Sequence, residues 1–335
     1  MKLLSVIGTR PQYIKIKPFY DFCKKQNIDH QILDTLQHYS DNVSKDLIDD
    51  LGLKIDFTLK ARKDTELSFI SDALEEIGLV LQRQKPDYVL VYGDTNSTLC
   101  ASLTAYKLNI PVVHVEAGLR CGDIRVPEEV NRIFADTVSD IQFCSSVDGM
   151  KNVQNGIYCG DLEYELLNSM NHSVTYGDFG VMTIHRQNNT TPARMRKILD
   201  FCSLIPHKIH FFAHHRTIPL LCQVKIPSNI EIHESCPYTE MVKSLAECKF
   251  LLTDSGGIQK TAPFFGKRTL VFREKIEWKE TEKAGYVKKA DYSKENIKWL
   301  LSESPKRDTI FYMSTAGTAS KIIYDSIVQD LGGKS

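Results

Sequence analysis

The sequence predicts an α/β protein built from two doubly wound domains, each formed around a parallel sheet. Short apolar segments of strand length alternate with amphipathic segments of helical period, which is typical of parallel sheets covered by helices on both faces. This alternation runs through the first half of the chain and is repeated in the second half. Between the halves, Gly156 and Gly160 interrupt the pattern, and we therefore predict a domain boundary there.

Composition narrows the class of protein. The chain has 335 residues, of which 42% are apolar and 25% are charged, as expected for a globular protein of two domains. The formal net charge is zero and no run approaches about 18 apolar residues, so we expect no nucleic-acid partner and no membrane insertion. The opening run MKLLSVIGTRPQ lacks a small-residue cleavage site, and we interpret it as a core strand. Nine cysteines without a C-x-x-C pair indicate reduced thiols, a cytoplasmic location and no metal site.

The elements are predicted from periodicity and from glycine and proline positions. In the first half we expect strands at residues 3–7, 31–36, 87–92, 111–115 and 141–144, and helices at 12–25, 65–83, 95–108, from 127 and from 147. In the second half we expect strands at 179–184, 208–212, 230–233, 250–252 and 268–272. This predicts an N-terminal domain over 1–160, a C-terminal domain over 161–315, and a final segment, 316–335, whose helix packs back on the N-terminal domain.

Carboxylates stand at the ends of two predicted strands. The stretch 111–132 opens as a buried strand, reaches Glu116 where the apolar pattern stops, and continues into a helix that Glu128 and Glu129 begin. Asp94 follows the preceding strand in the same way. Ligands of open α/β sheets bind beyond the carboxyl ends of the strands, so we predict the reaction chemistry here. Alternatively, Asp94 caps a helix, and the two glutamates only complement a helix dipole.

Turns that suit an anion follow strands in both halves. Ser255-Gly256-Gly257 forms a glycine-rich turn between a strand and a helix, where backbone N–H groups approach phosphate oxygens. The turn at 8–11 is similar, and Arg10 and Lys15 add positive charge, although without a full G-x-G-x-x-G the pattern alone is weak. His214 follows another strand, and an interior histidine is the alternative there.

These residues together resemble the non-hydrolysing UDP-N-acetylglucosamine 2-epimerase family. The resemblance rests on eight motifs in the same order, GTRPQYIK (8–15), QH (37–38), YGDTNST (92–98), HVEAGLRCGD (114–123), PEEVNR (127–132), HR (185–186), DSGGIQ (254–259) and EWKETEKAG (277–285). It implies two Rossmann-like domains in the GT-B-type arrangement, with the nucleotide-sugar in the cleft between them. It further implies a cytoplasmic homodimer that needs no cofactor and serves surface polysaccharide or lipopolysaccharide precursor synthesis.

The resemblance also implies roles for individual residues. Catalytic roles pass to Asp94, Glu116, Glu128 and His214. Substrate-binding roles pass to Arg10, Lys15, Gln37, His38, Arg132, His185, Arg186, Ser255, Gly256, Gly257 and Glu277. The residues do not determine which carboxylate is the base or which UDP-sugar is the substrate. They are also compatible with two other activities. One is a hydrolysing epimerase that releases UDP and free sugar, and the other is a GT-B glycosyltransferase.

Several positions favour one branch of that family. Gln12, Asp161, Lys260 and the EWKE segment are similar to enzymes that act on UDP-2,3-diacetamido-2,3-dideoxyglucuronic acid, whereas the commoner branch has Pro-Glu where this chain has Pro11-Gln12. Thr261 departs from the family, which usually has a glutamate there that is thought to hold the ribose.

The chemistry of such a reaction explains why several carboxylates are needed. The hydrogen on C2 of a 2-acetamido sugar is not acidic, because no carbonyl is bonded directly to that carbon. It leaves only if the C1–O bond to UDP breaks at the same time, which gives a 2-acetamidoglucal. Return of a proton on the opposite face then requires a second acid/base group.

Overall fold

A computed structural model describes residues 1–37, 41–61, 64–170, 172–214, 217–234 and 236–334. His38, a predicted substrate-binding residue, lies outside these ranges. The chain divides into two compact units. The first unit comprises Met1–Ser169 and Tyr312–Ser335, and the second comprises Met170–Phe311. The first boundary between the two units follows Ser169, whereas from the sequence we predicted a domain boundary after Gly160.

The first unit contains a seven-stranded parallel sheet with helices between successive strands. In chain order its elements are β1 (Lys2–Ile7), α1 (Arg10–Lys25), β2 (Asp29–Asp34), α2 (Asp41–Asp50), β3 (Phe57–Thr58), α3 (Glu66–Gln84), β4 (Tyr88–Tyr92), α4 (Asn96–Lys107), β5 (Val112–Val115), α5 (Pro127–Val138), β6 (Ile141–Cys144), α6 (Val147–Met150), β7 (Ile157–Tyr158) and α7 (Leu162–Ser169). The strand order is β3-β2-β1-β4-β5-β6-β7. The order reverses between β1 and β4, and the turns at their carboxyl ends carry the GTRPQ and GDT residues.

The second unit repeats this plan with a six-stranded sheet. Its elements are β8 (Phe179–Thr183), a 3₁₀ turn (Gln187–Asn189), α8 (Pro192–Cys202), β9 (Lys208–Ala213), α9 (Ile218–Leu221), β10 (Ile230–Glu234), α10 (Tyr238–Glu247), β11 (Phe250–Thr253), α11 (Gly256–Phe265), β12 (Arg268–Val271), α12 (Lys279–Lys283), β13 (Val287–Lys289) and α13 (Lys294–Leu300). The strand order is β10-β9-β8-β11-β12-β13, so the order reverses between β8 and β11. His185 and Ser255 follow these two strands.

The last helix, α14 (Ala319–Lys334), belongs to the first unit. Tyr324 packs against Phe22 of α1 with ring centroids 5.6 Å apart. The Tyr88 hydroxyl donates a hydrogen bond of 2.5 Å to Asp330, and the Ser320 amide donates one of 2.9 Å to Glu165. These contacts tie the chain terminus to α1, β4 and α7.

The central strands hold each unit together by burying apolar side chains on both faces of the sheet. Leu3 and Leu4 of β1 point to opposite faces and are both fully buried, as are Leu251 and Leu252 of β11 in the second unit. Each such side chain contributes about 1.5–3 kcal/mol relative to an exposed one. Helices begin where the sequence offers a cap, as at Thr65, whose side chain accepts a hydrogen bond from the Ser68 amide.

The predicted fold class, two doubly wound Rossmann-like domains, is confirmed, and elements were missed where the pattern was short. We interpreted residues 157–164 as a break in the sequence pattern. In the structure they contain the two-residue strand β7 and the start of α7. Asp161 starts α7 by accepting the Glu163 and Tyr164 amides at 2.9 and 3.2 Å. A two-residue strand has no readable alternation, which is why periodicity did not reveal it.

Candidate active site

Asp94 follows β4 at the point where the strand order of the first sheet reverses. Its carboxylate forms an ion pair with Arg132 of α5, and its side chain is 31% exposed. Asn131, which precedes Arg132, donates to the Asp94 carbonyl and to Asn96 Oδ1, both at 3.0 Å. The PEEVNR motif therefore fixes both the backbone and the carboxylate of Asp94. Thr95, and not Asp94, caps α4, which removes the alternative reading of Asp94 as a helix cap.

Glu116 follows β5, the neighbouring strand, in a strained conformation. Its φ is +70°, a left-handed value that costs a residue other than glycine about 1–2 kcal/mol. Its side chain is 9% exposed, and its carboxylate forms an ion pair with Lys15 of α1. Such strain at a buried acidic residue is a feature of functional sites, since the surrounding structure must hold it in place.

Arg132 connects the carboxylates of this region. Burial disfavours its charge, but Asp94, Glu129 and Glu116 together raise the pKa of Arg132 above its ordinary value. Its Nη1 lies 3.0 Å from Glu129 Oε2. One guanidinium thus serves Asp94 and Glu129 directly and lies close enough to Glu116 to interact electrostatically. Two of the predicted cations of this unit, Lys15 and Arg132, have carboxylate partners.

The two glutamates that begin α5 differ in their surroundings. Glu129 is 2% exposed and accepts hydrogen bonds of 2.9 Å from the Cys121 and Gly122 amides. Burial acts to raise the pKa of Glu129, but these amides and Arg132 lower it below its ordinary value. Glu128 is exposed and has no ion-pair partner among the described residues. Glu129 is therefore a brace for the 121–122 loop, and Glu128 is the glutamate that is accessible to a ligand.

A buried histidine supports both strand ends. His114 Nε2 lies 2.8 Å from the Gly93 carbonyl, and Nδ1 lies 2.7 Å from Asp136 Oδ1. Both partners are hydrogen-bond acceptors, so a ring nitrogen that carries a proton donates to the group it faces. Asp136 also accepts the Gly118 amide and pairs with Arg120 at 2.6 Å. This network joins the turn that carries Asp94 to the loop that follows Glu116.

Gln12 performs the same bracing role between β1 and β4. Its side-chain oxygen accepts the Gly8 and Thr9 amides at 2.8 and 3.1 Å. Its side-chain nitrogen donates to the Tyr92 carbonyl at 2.7 Å and to Thr95 Oγ1 at 3.0 Å. Because a carboxylate has no N–H group, glutamate at this position cannot make the second pair of bonds.

We therefore expect Gln12→Glu to lower the free energy of unfolding by at least about 2 kcal/mol. The substitution leaves the Tyr92 carbonyl without its donor and places a buried negative charge beside it. Denaturant titration measures the loss. The exposed loop residue Gln154 offers a matched control, and Gln154→Glu is expected to change stability by less than about 0.5 kcal/mol. Equal stabilities of the two variants contradict this assignment.

Two other predicted binding residues of this unit have different surroundings. Gln37 accepts the Ser97 amide and hydroxyl, both at 2.8 Å, so its side-chain oxygen supports the start of α4. Arg10 is half-buried at the first position of α1, beside that site. Arg125, also close to these motifs in sequence, is 87% exposed and pairs with Asp123.

In the second unit, Asp254 organises the switch point between β8 and β11. It is fully buried and accepts hydrogen bonds from the His185 and Arg186 amides and from the Asn189 side chain. Asn189 also donates to the Phe272 carbonyl at 2.7 Å. The HR motif is thereby fixed to the start of the DSGG turn. His185 Nδ1 lies 3.4 Å from Asp254, and the rings of His185 and His214 are 6.4 Å apart.

The glycine-rich turn contacts a carboxylate. Ser255 is the residue before α11, and a Cβ on Gly256 would lie 2.2 Å from Glu277 Oε2. A larger residue at this position would therefore require the Glu277 side chain to move. Glu277 is held by Arg273, whose Nη2 lies 2.7 Å from Oε1. The structure thus brings Gly256 and Glu277 together at the positive end of α11, which favours negative charge and oxygen ligands.

Thr261, the position that departs from the resemblance, lies inside α11. It is 3% exposed, and its hydroxyl donates to the Ile258 carbonyl at 3.1 Å. Lys260 beside it is 1% exposed, with its ammonium 5.6 Å from the centre of the Trp278 ring. The Trp278 ring belongs to the EWKE segment, so Lys260 and EWKE, both marks of the favoured branch, contact one another.

Sequence reasoning found the residues at strand ends and missed their supports. Glu129, Asp136, Asn189 and Asp254 are each buried and each accept or donate several hydrogen bonds that cross between elements. Some signal was present, since Asp254 and Glu129 lie inside the motifs. Asp136 lies in α5, four residues beyond the PEEVNR motif, and nothing in the sequence marks its side chain as a partner of His114.

The fold of the two units and the residues at their switch points define a two-domain α/β protein of the GT-B type. A sequence profile of the UDP-N-acetylglucosamine 2-epimerase family matches residues 21–327. The chain belongs to this family, which confirms the resemblance predicted from the motifs.

Individual relatives agree with this placement. A UDP-2,3-diacetamido-2,3-dideoxy-D-glucuronate 2-epimerase of Pseudomonas aeruginosa is 34% identical over 307 residues, which cover 85% of this chain and 87% of that protein. The crystal structure of a Methanocaldococcus jannaschii UDP-GlcNAc 2-epimerase in complex with UDP-GlcNAc and UDP matches with a TM-score of 0.83 and 30% identity, covering 98% and 100% of the two chains. A UDP-GlcNAc 2-epimerase of Neisseria meningitidis bound to UDP-GlcNAc matches with a TM-score of 0.82 and 26% identity, covering 98% and 100%.

Proposed function

We propose that this protein inverts C2 of a UDP-2-acetamido sugar by elimination and re-addition of UDP. The observation that carries the proposal is the pair of carboxylates, Asp94 and Glu116, at adjacent strand ends, each paired with a cation from a helix. Family membership supplies the reaction class, and the two strand ends supply the acid/base groups that this reaction needs.

In the first step a carboxylate removes the C2 proton. The electrons of the C–H bond form the C1=C2 double bond, and the C1–O bond breaks, so its electron pair leaves with UDP. In the second step a proton is delivered to the opposite face of C2, and an oxygen of the UDP β-phosphate bonds again to C1. The reaction therefore needs acid/base groups on both faces of the sugar, and we assign these to Asp94, Glu116 and Glu128.

Positive groups must stabilise the departing diphosphate. We propose that Arg10, Lys15 and Arg132 serve this purpose in the first unit. Lys15 and Arg132 are paired with carboxylates, so charge that develops on the diphosphate is stabilised by cations that are already held in position. We assign nucleotide binding to the second unit, through His185, Arg186, His214 and Glu277 and the N-terminus of α11 at Ser255-Gly256-Gly257.

We infer that the substrate is a 2,3-diacetamido uronic acid derivative. Gln12, Lys260 and the EWKE segment support this, and so does the similarity to the P. aeruginosa enzyme. Purified protein is expected to convert UDP-2,3-diacetamido-2,3-dideoxyglucuronic acid into its C2 epimer with kcat/KM at least about tenfold above that for UDP-N-acetylglucosamine, a difference of about 1.4 kcal/mol. Proton NMR follows the UDP-linked products. A higher kcat/KM for UDP-N-acetylglucosamine contradicts the proposed substrate. Failure to form an epimer from either sugar contradicts the proposed function.

We further propose a cytoplasmic homodimer. Within the described ranges no helix combines the length and apolar character needed to cross a membrane. Burial raises the pKa of the Cys23 thiol to about 12, and Cys23, Cys100 and Cys202 are buried free thiols, as suits a reducing compartment. Ile124, Val130 and Ile133 expose apolar surface on and beside α5, which favours contact with a second copy. Light scattering of the purified protein measures the mass of the assembly.

A further inference from the structure

Two histidines and a glutamate meet on the sheet of the second unit, and none of the three is assigned to the nucleotide. Glu231 and His233 lie two residues apart on β10, so their side chains point to the same face of the sheet. His210 of β9 is the register partner of Glu231. Within the described ranges this is the one group of three such side chains whose ligand atoms all lie within 4.8 Å of one another.

The distances are close to those of a metal site. His210 Nε2 lies 4.0 Å from Glu231 Oε2, and His233 Nε2 lies 3.7 Å from Glu231 Oε1. Ligand atoms of a tetrahedral Zn²⁺ ion are about 3.4 Å apart, given bonds of about 2.0–2.1 Å. Movements of less than about 1 Å bring the three atoms to that spacing. Glu231 can make most of this adjustment, because its side chain is 58% exposed.

The two rings are held in place from the sides. Phe179 stacks on His210 with centroids 4.7 Å apart and planes 21° apart. Phe212 stacks on His233 at 5.2 Å and 26°. Two aromatic contacts therefore fix the planes of both imidazoles, leaving the ring nitrogens directed at Glu231. Preorganisation of this kind lowers the cost of binding an ion.

One ring nitrogen of this cluster also lacks a hydrogen bond. His233 Nε2 is buried and has no hydrogen-bond partner among the described residues. An unbonded buried nitrogen costs free energy that a metal bond recovers.

We propose that His210, Glu231 and His233 bind a divalent transition-metal ion such as Zn²⁺, with water in the remaining position. Imidazole and carboxylate ligands suit Zn²⁺, Co²⁺ and Ni²⁺. The site clamps β10, the edge strand, to β9. His210 lies three residues, roughly 10 Å, before the carboxyl end of β9, and His233 lies one residue before the carboxyl end of β10. The sequence shows no metal spacing because the ligands come from two strands.

The test is titration of the full-length protein, first treated with chelator, with Zn²⁺ alone. Calorimetry is expected to show one saturable site, and Zn²⁺ is expected to raise the melting temperature. Glu231→Gln and His233→Gln are expected to weaken this binding at least roughly 100-fold, since loss of even a supporting residue around a metal costs 10–100-fold. His207→Gln is the matched control, because His207 lies beside the same strand but pairs with Asp178.

Cobalt distinguishes this site from the cysteines. Co²⁺ at the proposed site is expected to give visible bands of a nitrogen- and oxygen-bound ion, without the near-ultraviolet band of a sulfur ligand. The exposed Glu231 side chain makes Glu231→Gln the variant that retains the fold. The absence of saturable Zn²⁺ binding overturns the proposal. It is also overturned by binding that survives unchanged in Glu231→Gln and His233→Gln, or by a sulfur band that accounts for all of the bound cobalt.

Discussion

Replacing Glu116 by glutamine is expected to lower kcat by about two to four orders of magnitude, the usual contribution of one acid/base group. Glutamine retains the shape of the side chain and removes its capacity to exchange a proton. Because Glu116 is nearly buried and its strained backbone is held by the loop that Asp136 organises, the geometry of the site is expected to survive. Affinity for UDP should change little. Steady-state kinetics and calorimetric titration with UDP measure the two effects.

The ion pair with Lys15 requires a control for this prediction. Lys15→Met removes the partner of Glu116 and leaves the carboxylate itself in place. If Glu116 transfers a proton, Glu116→Gln is expected to lose far more activity than a loss of positioning alone explains. The dependence of its kcat on pH is then also expected to differ from that of the unaltered protein. Turnover within a few-fold of the unaltered protein shows that Glu116 only neutralises Lys15.

The second large effect is expected at Glu128. Glu128→Gln should lower kcat by about two to four orders of magnitude while the free energy of unfolding stays within about 0.5 kcal/mol, because the side chain is exposed. Its neighbour provides a matched comparison. Glu129→Gln removes the charge that binds the Cys121 and Gly122 amides and Arg132, and should cost about 2–4 kcal/mol of stability.

Kinetic and denaturation measurements on both variants separate the two roles. Loss of stability in Glu128→Gln, or full activity in that variant, makes Glu128 a helix-start residue. A fully stable Glu129→Gln shows that the loop is held by other contacts.

The sequence predicted the regular part of the fold well, because long buried strands have continuous apolar runs. Strands β4 and β6 lie within a residue of the predicted limits, and Asp94 and Glu116 follow the ends of β4 and β5. Short elements such as β7 carry too few residues for any period to be read.

The sequence predicted the candidate-site residues that follow strands, but not the residues that hold them in place. Asp94 and Glu116 can be found because polar residues interrupt an apolar pattern. The roles of Gln12 and Asp136 depend on which backbone groups lie opposite them after folding, and no local pattern contains that information. For the same reason the local pattern does not separate Glu128 from Glu129, and only the resemblance assigned the catalytic role to Glu128. The two are adjacent in a helical turn, where one residue of rotation decides which side chain is buried.

The most direct test of the account is proton exchange at C2. Incubation of the UDP-sugar with the protein in heavy water is expected to replace the C2 proton by deuterium in both epimers, while the sugar stays linked to UDP. Proton NMR detects the loss of the C2 proton signal and of the coupling between that proton and the C1 proton. Epimerisation that retains the original C2 proton, or stoichiometric release of UDP and free sugar, contradicts it.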